Sequence, residues 1–309
     1  MTIMKAVRVH EYGSADVLTL EEAPRPQPPG TGELLVRVRA SSVNPADWKT
    51  RAGYFKQWMP LTLPFVLGRD VSGVVEAIGP GVSRFKKGDE VYGVVSGAYA
   101  EYAVAKEAEV AHKPRSIDHT RAAVIPLAAL TAWQALFDKA KLAAGQRVLI
   151  HGAAGGVGSF AVQLAKWSGA TVIATASARN QALLRQLGVD EPIDYEKTRF
   201  SDVTRNVDVV IDTIGGDTQQ RSLSVLRRGG ILVSVAAPPS AGEAAEFGVR
   251  AEFLATQPSS SHLTEIAKLV DSGRVKPIVE SVLPLSEVRR AHQMSESGHT
   301  RGKIALTVG

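Results

Sequence analysis

The spacing of apolar and polar residues divides the chain into three zones, and the first zone predicts mostly β structure. Up to about residue 122, short apolar runs rich in valine alternate with turn residues such as Pro28-Pro29-Gly30 and Gly79-Pro80-Gly81. The apolar runs lie at 34–38, 71–75, 90–95 and 100–104. Short strands separated by turn signals predict a barrel-like antiparallel domain.

The rhythm changes between about residues 123 and 275, where apolar strands alternate with helical patterns. We predict strands at 148–151, 171–175, Val207–Asp212 and 230–235, and helices at 179–187 and 217–226. The helix after the first of these strands has one continuous face, formed by Val157, Phe160, Ala161, Leu164, Ala165 and Ser168. Alternation of strands and helices indicates a parallel sheet that is covered by helices on both faces.

The last 34 or so residues, 276–309, are too few to fold alone and end in a strand pattern at 303–308. We expect this tail to return to the first zone. The predicted domains are therefore 1–122 completed by 276–309, and 123–275. Ser259-Ser260-Ser261 is interpreted as the N-cap of a helix at 263–270 rather than as a linker.

Composition narrows the class of protein. A chain of 309 residues suits two domains, and 44% hydrophobic with 22% charged residues is ordinary for a globular protein. The net charge of +5 is spread without a dense basic run, so neither a nucleic-acid nor a membrane partner is expected. The first ten residues lack the apolar core of a secretory signal and no stretch approaches a membrane span, so we expect a cytoplasmic protein.

The strongest chemical signal is the run His151-Gly152-Ala153-Ala154-Gly155-Gly156-Val157-Gly158, which lies between a predicted strand and an amphipathic helix. It is the Ala-x-Gly-x-x-Gly form of the dinucleotide-binding fingerprint. Gly155 lets the backbone approach a pyrophosphate, and Gly158 lets the helix pack closely on the strand. The helix N-terminus offers N–H groups and partial positive charge to the phosphates.

The residues after the second strand of this zone indicate which nicotinamide is used. NAD sites place an acidic residue there, which holds the ribose 2′-hydroxyl. This chain has Ser177 and Arg179 instead, and no acidic residue before Asp190. A hydroxyl and a guanidinium suit the 2′-phosphate of NADPH, so NADP(H) is the predicted cofactor, although Arg179 could instead be a solvated helix residue.

Several stretches together resemble the medium-chain dehydrogenase/reductase superfamily over essentially the whole chain. They are Val43-Asn44-Pro45-Ala46-Asp47, Arg51-x-Gly53-Tyr54, Leu67-Gly68-Arg69-Asp70-Val71-Ser72-Gly73-Val74-Val75, Gly79-x-Gly81-Val82-x-x-Phe85-x-x-Gly88-Asp89-x-Val91, Leu130-Thr131-Ala132-Trp133 and the glycine loop. The resemblance implies an α/β protein with a GroES-like β-barrel domain and a Rossmann domain with a doubly wound parallel sheet. The Asn-x-x-Asp segment and the short tail resemble the quinone oxidoreductase branch.

The chain departs from the zinc alcohol dehydrogenases of this superfamily. Those enzymes bind catalytic zinc through a Cys near the position of Asn44 and a His where Arg69 stands, and this chain has no cysteine. A guanidinium does not ligate zinc, so no metal site is predicted. Without that Lewis acid we expect hydride transfer to a quinone, or alternatively to an α,β-unsaturated aldehyde or ketone. A non-enzymatic NADPH-binding protein is a third hypothesis.

The resemblance also implies roles at the acceptor end of the site. Asn44 and Thr131 would lie beside the nicotinamide and its ribose, and Tyr54 would line the substrate pocket and donate a hydrogen bond. Asn44 as a turn residue before Pro45 and Tyr54 as pocket lining remain open alternatives. Arg69 and Asp70 are consecutive charges in an apolar strand, which predicts a structural ion network.

Four more residues are expected at the cofactor. Tyr195 resembles a tyrosine near the adenosine, with a rim aromatic as the alternative. Val235 and Ala236 would lie under the nicotinamide, because they follow a parallel strand at its carboxyl end. Lys303 would reach the pyrophosphate or be an ordinary surface lysine.

The segment 249–254 predicts an edge strand that ends in Phe253 and Leu254. An open edge of this kind invites pairing unless it is covered. Relatives pair two such edges across a two-fold axis, so we expect a homodimer; a monomer whose edge is shielded by Arg250 and Glu252 is the alternative.

Overall fold

The computed structural model describes residues 2–309, which divide into two compact units. The first unit comprises residues 2–127, Pro258–Gly273 and Pro277–Gly309, and the second comprises Ala128–Gln257 and Arg274–Lys276. The strands are β1 Ile3–Val9, β2 Thr19–Pro24, β3 Glu33–Val43, β4 Phe65–Val66, β5 Asp70–Ile78, β6 Glu90–Val94, β7 Tyr102–Lys106, β8 Val110–His112, β9 Arg147–Ile150, β10 Thr171–Ala176, β11 Glu191–Asp194, β12 Val207–Asp212, β13 Leu226–Ser234, β14 Arg250–Phe253, β15 Val279–Pro284 and β16 Lys303–Thr307.

The helices are more numerous in the second half of the chain. The α-helices are α1 Pro45–Arg51, α2 His119–Ala123, α3 Pro126–Trp133, α4 Gly156–Trp167, α5 Gln181–Gln186, α6 Phe200–Val203, α7 Gly216–Leu223, α8 Ala241–Glu246, α9 Ser260–Asp271 and α10 Val288–Glu296. Single 3-10 turns lie at Ala15–Val17, Glu107–Glu109, Ala178–Asn180 and Leu285–Glu287, and Gln134–Lys139 is π-helical.

Among the described residues, the first unit contains a seven-stranded sheet. Its strand order is β15-β16-β3-β5-β6-β8, and β7 also pairs with β3. A second sheet has the order β2-β1-β4. The tail strand β16 pairs antiparallel with β3, which makes this unit discontinuous in the chain. Its buried core includes Val36, Tyr99 and Leu306. The fold therefore sets the starts of β16 and β5 on either side of the end of β3.

The second unit is a parallel sheet in the order β11-β10-β9-β12-β13-β14, with β9 and β12 at its centre. The central strands bury most of their side chains because helices cover both faces of the sheet. β14 pairs only with β13 among the described strands and is an edge of this sheet. The GroES-like and Rossmann architectures expected from the sequence are thus confirmed.

Helix α9 belongs to the first unit, whereas the sequence assigned it to the Rossmann domain within 123–275. Tyr92 donates its hydroxyl hydrogen to the Leu263 carbonyl at 2.6 Å, and the Ser116 N–H donates to Asp271 at 2.9 Å. An apolar helix face does not reveal which core it packs on. The structural boundary after residue 127, rather than after 122, differs by only a few residues. Ser259 caps α9 through the His262 N–H, so the predicted N-cap is confirmed.

The helix predicted at 217–226 was too long, and the strand predicted at 230–235 began too late. α7 ends at Leu223, and β13 already begins at Leu226, which pairs with Val207. A bulge follows, so that Ile231 is the residue opposite Val209. Leu223 and Leu226 are both buried three residues apart, and this spacing imitates a helix face.

Candidate functional site

The carboxyl ends of the parallel strands in the second unit lie along one edge of the sheet. Ile150 at the end of β9 is paired with Ala174 and Ile211, and Asp212 at the end of β12 is paired with Ser234. The glycine loop, Ser177, Tyr195, Val235 and Ala236 follow β9, β10, β11 and β13 directly. These predicted cofactor residues are therefore brought together at one edge, where parallel sheets bind ligands.

The glycine loop has the shape that a pyrophosphate requires. Gly155 is the N-cap of α4, and no side chain caps this helix, so its first N–H groups remain for a ligand. A Cβ built on Gly158 would lie 2.3 Å from the Gly152 carbonyl oxygen and 2.7 Å from the Ala153 Cα. A Cβ on Gly155 would meet only the Gly152 oxygen, at 3.2 Å. Gly158 therefore serves close packing, while open space remains beside Gly155 for a phosphate.

Asp212 is a buried carboxylate at this edge that sequence analysis missed. It organises two neighbouring turns by accepting four hydrogen bonds, from the Ile214 and Gly215 N–H groups, Gln219 Nε2 and Ser234 Oγ, at 2.8–3.1 Å. Ser234 Oγ in turn accepts the Ala236 N–H at 3.2 Å. Asp212 thus fixes the backbone segment that holds Val235 and Ala236.

His151, the first residue of the glycine loop, is a neutral structural group. Its Nδ1 lies 3.0 Å from Thr175 Oγ1 and its Nε2 lies 2.9 Å from Ser222 Oγ. Burial lowers the pKa of His151 to about 4, against a smaller opposing effect of Asp212. The uncharged ring joins the ends of β9 and β10 beneath the loop.

Ser177, Arg179 and Tyr195 surround the end of β10. Ser177 is buried and accepts a hydrogen bond from Asn180 Nδ2 at 3.2 Å, whereas Arg179 and Tyr195 are exposed. Glu196 also reaches this place, because its carboxylate accepts the Ala178 N–H at 3.2 Å. The sequence does not indicate this acid, because the pattern of NAD sites places an acid after β10, whereas Glu196 follows the next strand.

In the first unit, the structure brings Asn44 and Lys303 together with Asp70. Lys303 Nζ lies 2.5 Å from Asn44 Oδ1, 2.8 Å from the Val43 carbonyl oxygen and 3.5 Å from Asp70 Oδ2. Asn44 Nδ2 donates to Asp70 Oδ2 at 2.8 Å. Burial lowers the pKa of Lys303, while Asp70 and Asp47 act against that shift.

These contacts change two expectations from the sequence. Lys303 is neither a surface lysine nor placed to bind a phosphate, because its three N–H donors already face partners inside the first unit. The ion network predicted from Arg69 and Asp70 also has a member that the sequence did not indicate, because Lys303 joins it. Asp70 pairs with Lys303, and Arg69 Nε is buried without a hydrogen-bond partner among the described residues.

Asp47 anchors a second row of buried polar groups. Its Oδ2 accepts the Asn44 N–H at 2.8 Å and lies 3.3 Å from the Tyr99 hydroxyl. Burial raises the pKa of Asp47 to about 6, although the Asn44 N–H bond acts in the opposite direction. Its Oδ1 has no hydrogen-bond partner among the described residues, which is consistent with a carboxyl that is easily protonated.

The row continues through His292 to Arg51. Arg51 Nη1 lies 3.1 Å from His292 Nδ1, and His292 Nε2 lies 3.2 Å from the Tyr99 hydroxyl. Because a guanidinium only donates, Nδ1 is the acceptor and Nε2 carries the hydrogen. Burial, followed by the charge of Arg51, lowers the pKa of His292 to about 3, so the ring is neutral.

The two remaining predicted residues are Tyr54 and Thr131. Tyr54 follows α1, is 63% exposed and meets Trp48 edge-on with ring centroids 6.0 Å apart. Thr131 belongs to the second unit, is buried in α3 and has its Oγ1 2.7 Å from Thr256 Oγ1. Within residues 2–309, no group of three or more His, Asp or Glu side chains is arranged to hold a metal ion, and no helix is long and apolar enough to cross a membrane.

Comparison with known proteins agrees with this geometry. The family model described as "Alcohol dehydrogenase GroES-like domain" matches residues 30–115, and the one described as "Zinc-binding dehydrogenase" matches residues 187–306. The chain is 35% identical to the human "NAD(P)H oxidoreductase RTN4IP1, mitochondrial", over 99% of this chain and 90% of that protein. It is 37% identical to the Arabidopsis thaliana "NADPH-dependent alkenal/one oxidoreductase, chloroplastic", over 98% of this chain and 79% of that protein.

Solved structures extend the similarity to the whole fold. The quinone oxidoreductase from Coxiella burnetii superposes with a TM-score of 0.92 at 36% identity, covering 100% of both chains. The CurK enoyl reductase superposes with a TM-score of 0.91 at 27% identity, again over both full chains. The chain therefore belongs to the medium-chain dehydrogenase/reductase superfamily, in its quinone oxidoreductase-like branch, and is an oxidoreductase that uses a nicotinamide cofactor.

Proposed function

We propose that this chain binds NADPH and transfers its hydride to a quinone without the help of zinc. The observation that carries the proposal is the uncapped start of α4 behind the open space at Gly155, on the same sheet edge as Ser177 and Arg179. The first N–H groups of α4 would hold the pyrophosphate, and Ser177 and Arg179 would hold the 2′-phosphate. When bound, the nicotinamide supplies the hydride.

The remaining work of the chain is positioning at the acceptor. Asn44 would contact the nicotinamide ribose or the acceptor oxygen, and the exposed hydroxyl of Tyr54 would donate to the same oxygen as it gains charge. Thr131 would contact the nicotinamide end of the cofactor, and Tyr195 its adenosine end. Val235 and Ala236, held in place by the Asp212–Ser234 hydrogen bond, would lie under the nicotinamide.

A second candidate reaction is reduction of the carbon–carbon double bond of an enone or enal. It is favoured by the similarity to the Arabidopsis enzyme above and to the "2-methylene-furan-3-one reductase" of Solanum lycopersicum, which is 36% identical over 98% of this chain and 79% of that protein. Both reactions need the same hydride geometry and an oxygen that gains negative charge. Rates with a naphthoquinone and with a short enone separate the two.

The choice of NADPH over NADH is tested at Arg179. Arg179→Ala should weaken NADPH binding by about 1.5–3 kcal/mol, the range for a charge-assisted hydrogen bond, and leave NADH binding nearly unchanged. Glu196→Gln should have the opposite effect and strengthen NADPH binding, because it removes a carboxylate near the 2′-phosphate. Binding of both cofactors is measured by fluorescence titration. Equal losses of NADPH and NADH in Arg179→Ala would show that Arg179 does not contact the 2′-phosphate.

We also propose a homodimer in which two copies of β14 pair antiparallel. Leu254 donates its N–H to the Ser234 carbonyl at 2.9 Å, so by alternation the N–H groups of Ala251 and Phe253 face the open edge. Phe253 is 42% exposed at this edge, where a partner strand would cover it.

Ala251→Pro tests this dimer without breaking the sheet. The substitution removes an N–H that faces the open edge and leaves the hydrogen bonds to β13 in place, so the subunit should stay folded while the dimer dissociates at least about tenfold more readily. Sedimentation at several concentrations measures the association. A wild-type chain that is monomeric at micromolar concentration would overturn the proposal.

A further inference from the structure

The side-chain amide of Asn44 is held between two opposite charges. Its Oδ1 faces the Lys303 ammonium at 2.5 Å, and its Nδ2 faces the Asp70 carboxylate at 2.8 Å. Lys303 has only donors and a carboxylate accepts, so these partners fix which end of the amide is oxygen and which is nitrogen. Asn44 and Lys303 are each 4% exposed and Asp70 is fully buried, so little solvent screens the charges.

The fold builds this arrangement from three adjacent strands. Ile304 pairs with Val43, which places Lys303 beside the end of β3, and Ser42 pairs with Asp70 at the start of β5. Asp70 is held in turn by Ser42 Oγ at 2.5 Å and by the Leu127 N–H at 2.8 Å.

The position of Asn44 in the sequence predicts a different use of its side chain. It precedes α1 as the N-cap, with Pro45 at the first helical position, yet its side chain makes no hydrogen bond to the N–H groups of this helix. The Asp47 carboxylate binds the Asn44 backbone N–H instead. An N-cap amide that is withdrawn from its helix gives up about 1 kcal/mol of capping stability, which indicates that the amide serves another purpose.

One N–H of this amide remains for a ligand. Asp70 accepts a single Nδ2 hydrogen, and no described residue accepts the other. The Lys303 ammonium at the oxygen draws the amide toward its charge-separated form, which makes the remaining N–H a stronger donor, while the Asp70 carboxylate at the nitrogen fixes the orientation of the amide. Such a donor stabilises an acceptor oxygen that gains negative charge when hydride arrives.

We propose that Lys303 and Asp70 are positioning residues, which orient and polarise the Asn44 amide so that its second N–H is presented to the acceptor or to the nicotinamide ribose. The proposal rests on the proposed function for the identity of that ligand. The clamp itself, defined as Lys303, Asn44 and Asp70, is a property of the first unit alone.

The kinetic test is a double-mutant cycle of Lys303→Met and Asn44→Ala with NADPH and a naphthoquinone. Lys303→Met should lower kcat at least about tenfold and change the NADPH dissociation constant less than about threefold. In the Asn44→Ala background it should have no further effect on kcat, because Lys303 acts through Asn44. Additive effects on kcat would overturn the proposal.

Lys113→Met is the matched control, because Lys113 is also a buried lysine of the first unit, whose Nζ donates to the Pro114 and Ile117 carbonyls. It should lower stability and leave kcat unchanged. If Lys303→Met does not fold, Asn44→Asp replaces it: the carboxylate keeps the Lys303 contact but has no N–H, so kcat should fall at least about tenfold. A kcat of Asn44→Asp within threefold of the wild type would also overturn the proposal.

A measurement on the cofactor-free protein separates failure of the clamp from failure of the proposed function. The two side-chain amide hydrogens of Asn44 should give widely separated proton resonances that exchange slowly with solvent, assigned by their loss in Asn44→Asp. In Lys303→Met the separation should shrink and exchange should speed up. Resonances like those of an exposed asparagine in the wild type would overturn the clamp, whether or not any acceptor is reduced.

Discussion

Acidification from pH 6.5 to pH 4 is expected to lower the free energy of unfolding, with a net loss of about 4 kcal/mol from two buried histidines and one buried aspartate. Burial lowers the pKa of His151 to about 4 and that of His292 to about 3, from an ordinary value of 6.5, so the unfolded chain binds these two protons first. Stability from these rings is complete above pH 6.5 and is lost as the pH falls toward their folded pKa values.

Asp47 acts in the opposite direction over part of this range. Burial raises its pKa to about 6 from 3.8, so below pH 6 the folded chain gains a proton that offsets one histidine. Each pH unit over which the two states differ by one proton is worth about 1.4 kcal/mol. Between pH 6.5 and 6 the unfolded chain binds two more protons than the folded chain, and between pH 6 and 4 it binds one more. The sum gives about 4 kcal/mol.

Urea unfolding at a series of pH values measures this loss. His292→Gln should reduce the loss by about 3 kcal/mol over the same range, because the contributions of His151 and Asp47 then nearly cancel. The comparison uses the change with pH and not the absolute stability, so any general destabilisation by the substitution does not affect it. Wild-type stability that stays level or rises between pH 6.5 and 4 would contradict the burial of two neutral histidines.

Gly158→Ala should destabilise the second unit by about 3 kcal/mol and abolish NADPH binding. The new Cβ would lie 2.3 Å from the Gly152 carbonyl oxygen and 2.7 Å from the Ala153 Cα. Both obstacles are backbone atoms, which do not rotate away, so the cost lies at the upper end of the range for overpacking. The loop must move, and the first N–H groups of α4 then lose their alignment with the pyrophosphate.

Gly155→Ala is the matched control within the same loop. Its φ of −80° is ordinary for alanine, and the nearest atom to the new Cβ is the Gly152 oxygen at 3.2 Å. Stability should change by less than about 1 kcal/mol, while NADPH binding should weaken because the methyl group occupies the phosphate space. Thermal unfolding and cofactor titration of both variants separate the two roles. Unchanged NADPH affinity in Gly155→Ala would show that the phosphate does not lie there.

The central sheet of the second unit could be predicted from the sequence because its information is local. Val207–Asp212 is rich in valine and isoleucine, which favour strands, and the predicted strand has the bounds of β12. The predicted end of α7 was wrong because Leu223 and Leu226 have the spacing of one helix face, although Leu226 pairs with Val207 in the sheet. Only the long-range pairing reveals that difference.

The candidate site depends even more on contacts between residues that are far apart in the sequence. The glycine loop could be predicted from the sequence because its glycines, strand and helix are contiguous in the chain. Lys303 meets Asn44 across 259 residues, and His292 meets Arg51 across 241 residues. No local pattern links such pairs, and Lys303 was therefore predicted at the pyrophosphate rather than beside Asn44. Glu196 was missed because it comes to the end of β10 from the neighbouring strand.

We propose that this oxidoreductase moves hydride from NADPH to a quinone without a metal ion. The most direct test follows NADPH oxidation by protein that has been dialysed against a chelator, with a naphthoquinone, a short enone or no acceptor, and repeats the series with NADH. We expect rapid oxidation with the naphthoquinone, a clear preference for NADPH over NADH, and rates that added zinc does not raise. Failure to oxidise NADPH with either acceptor, or activity that appears only after zinc is restored, would contradict it.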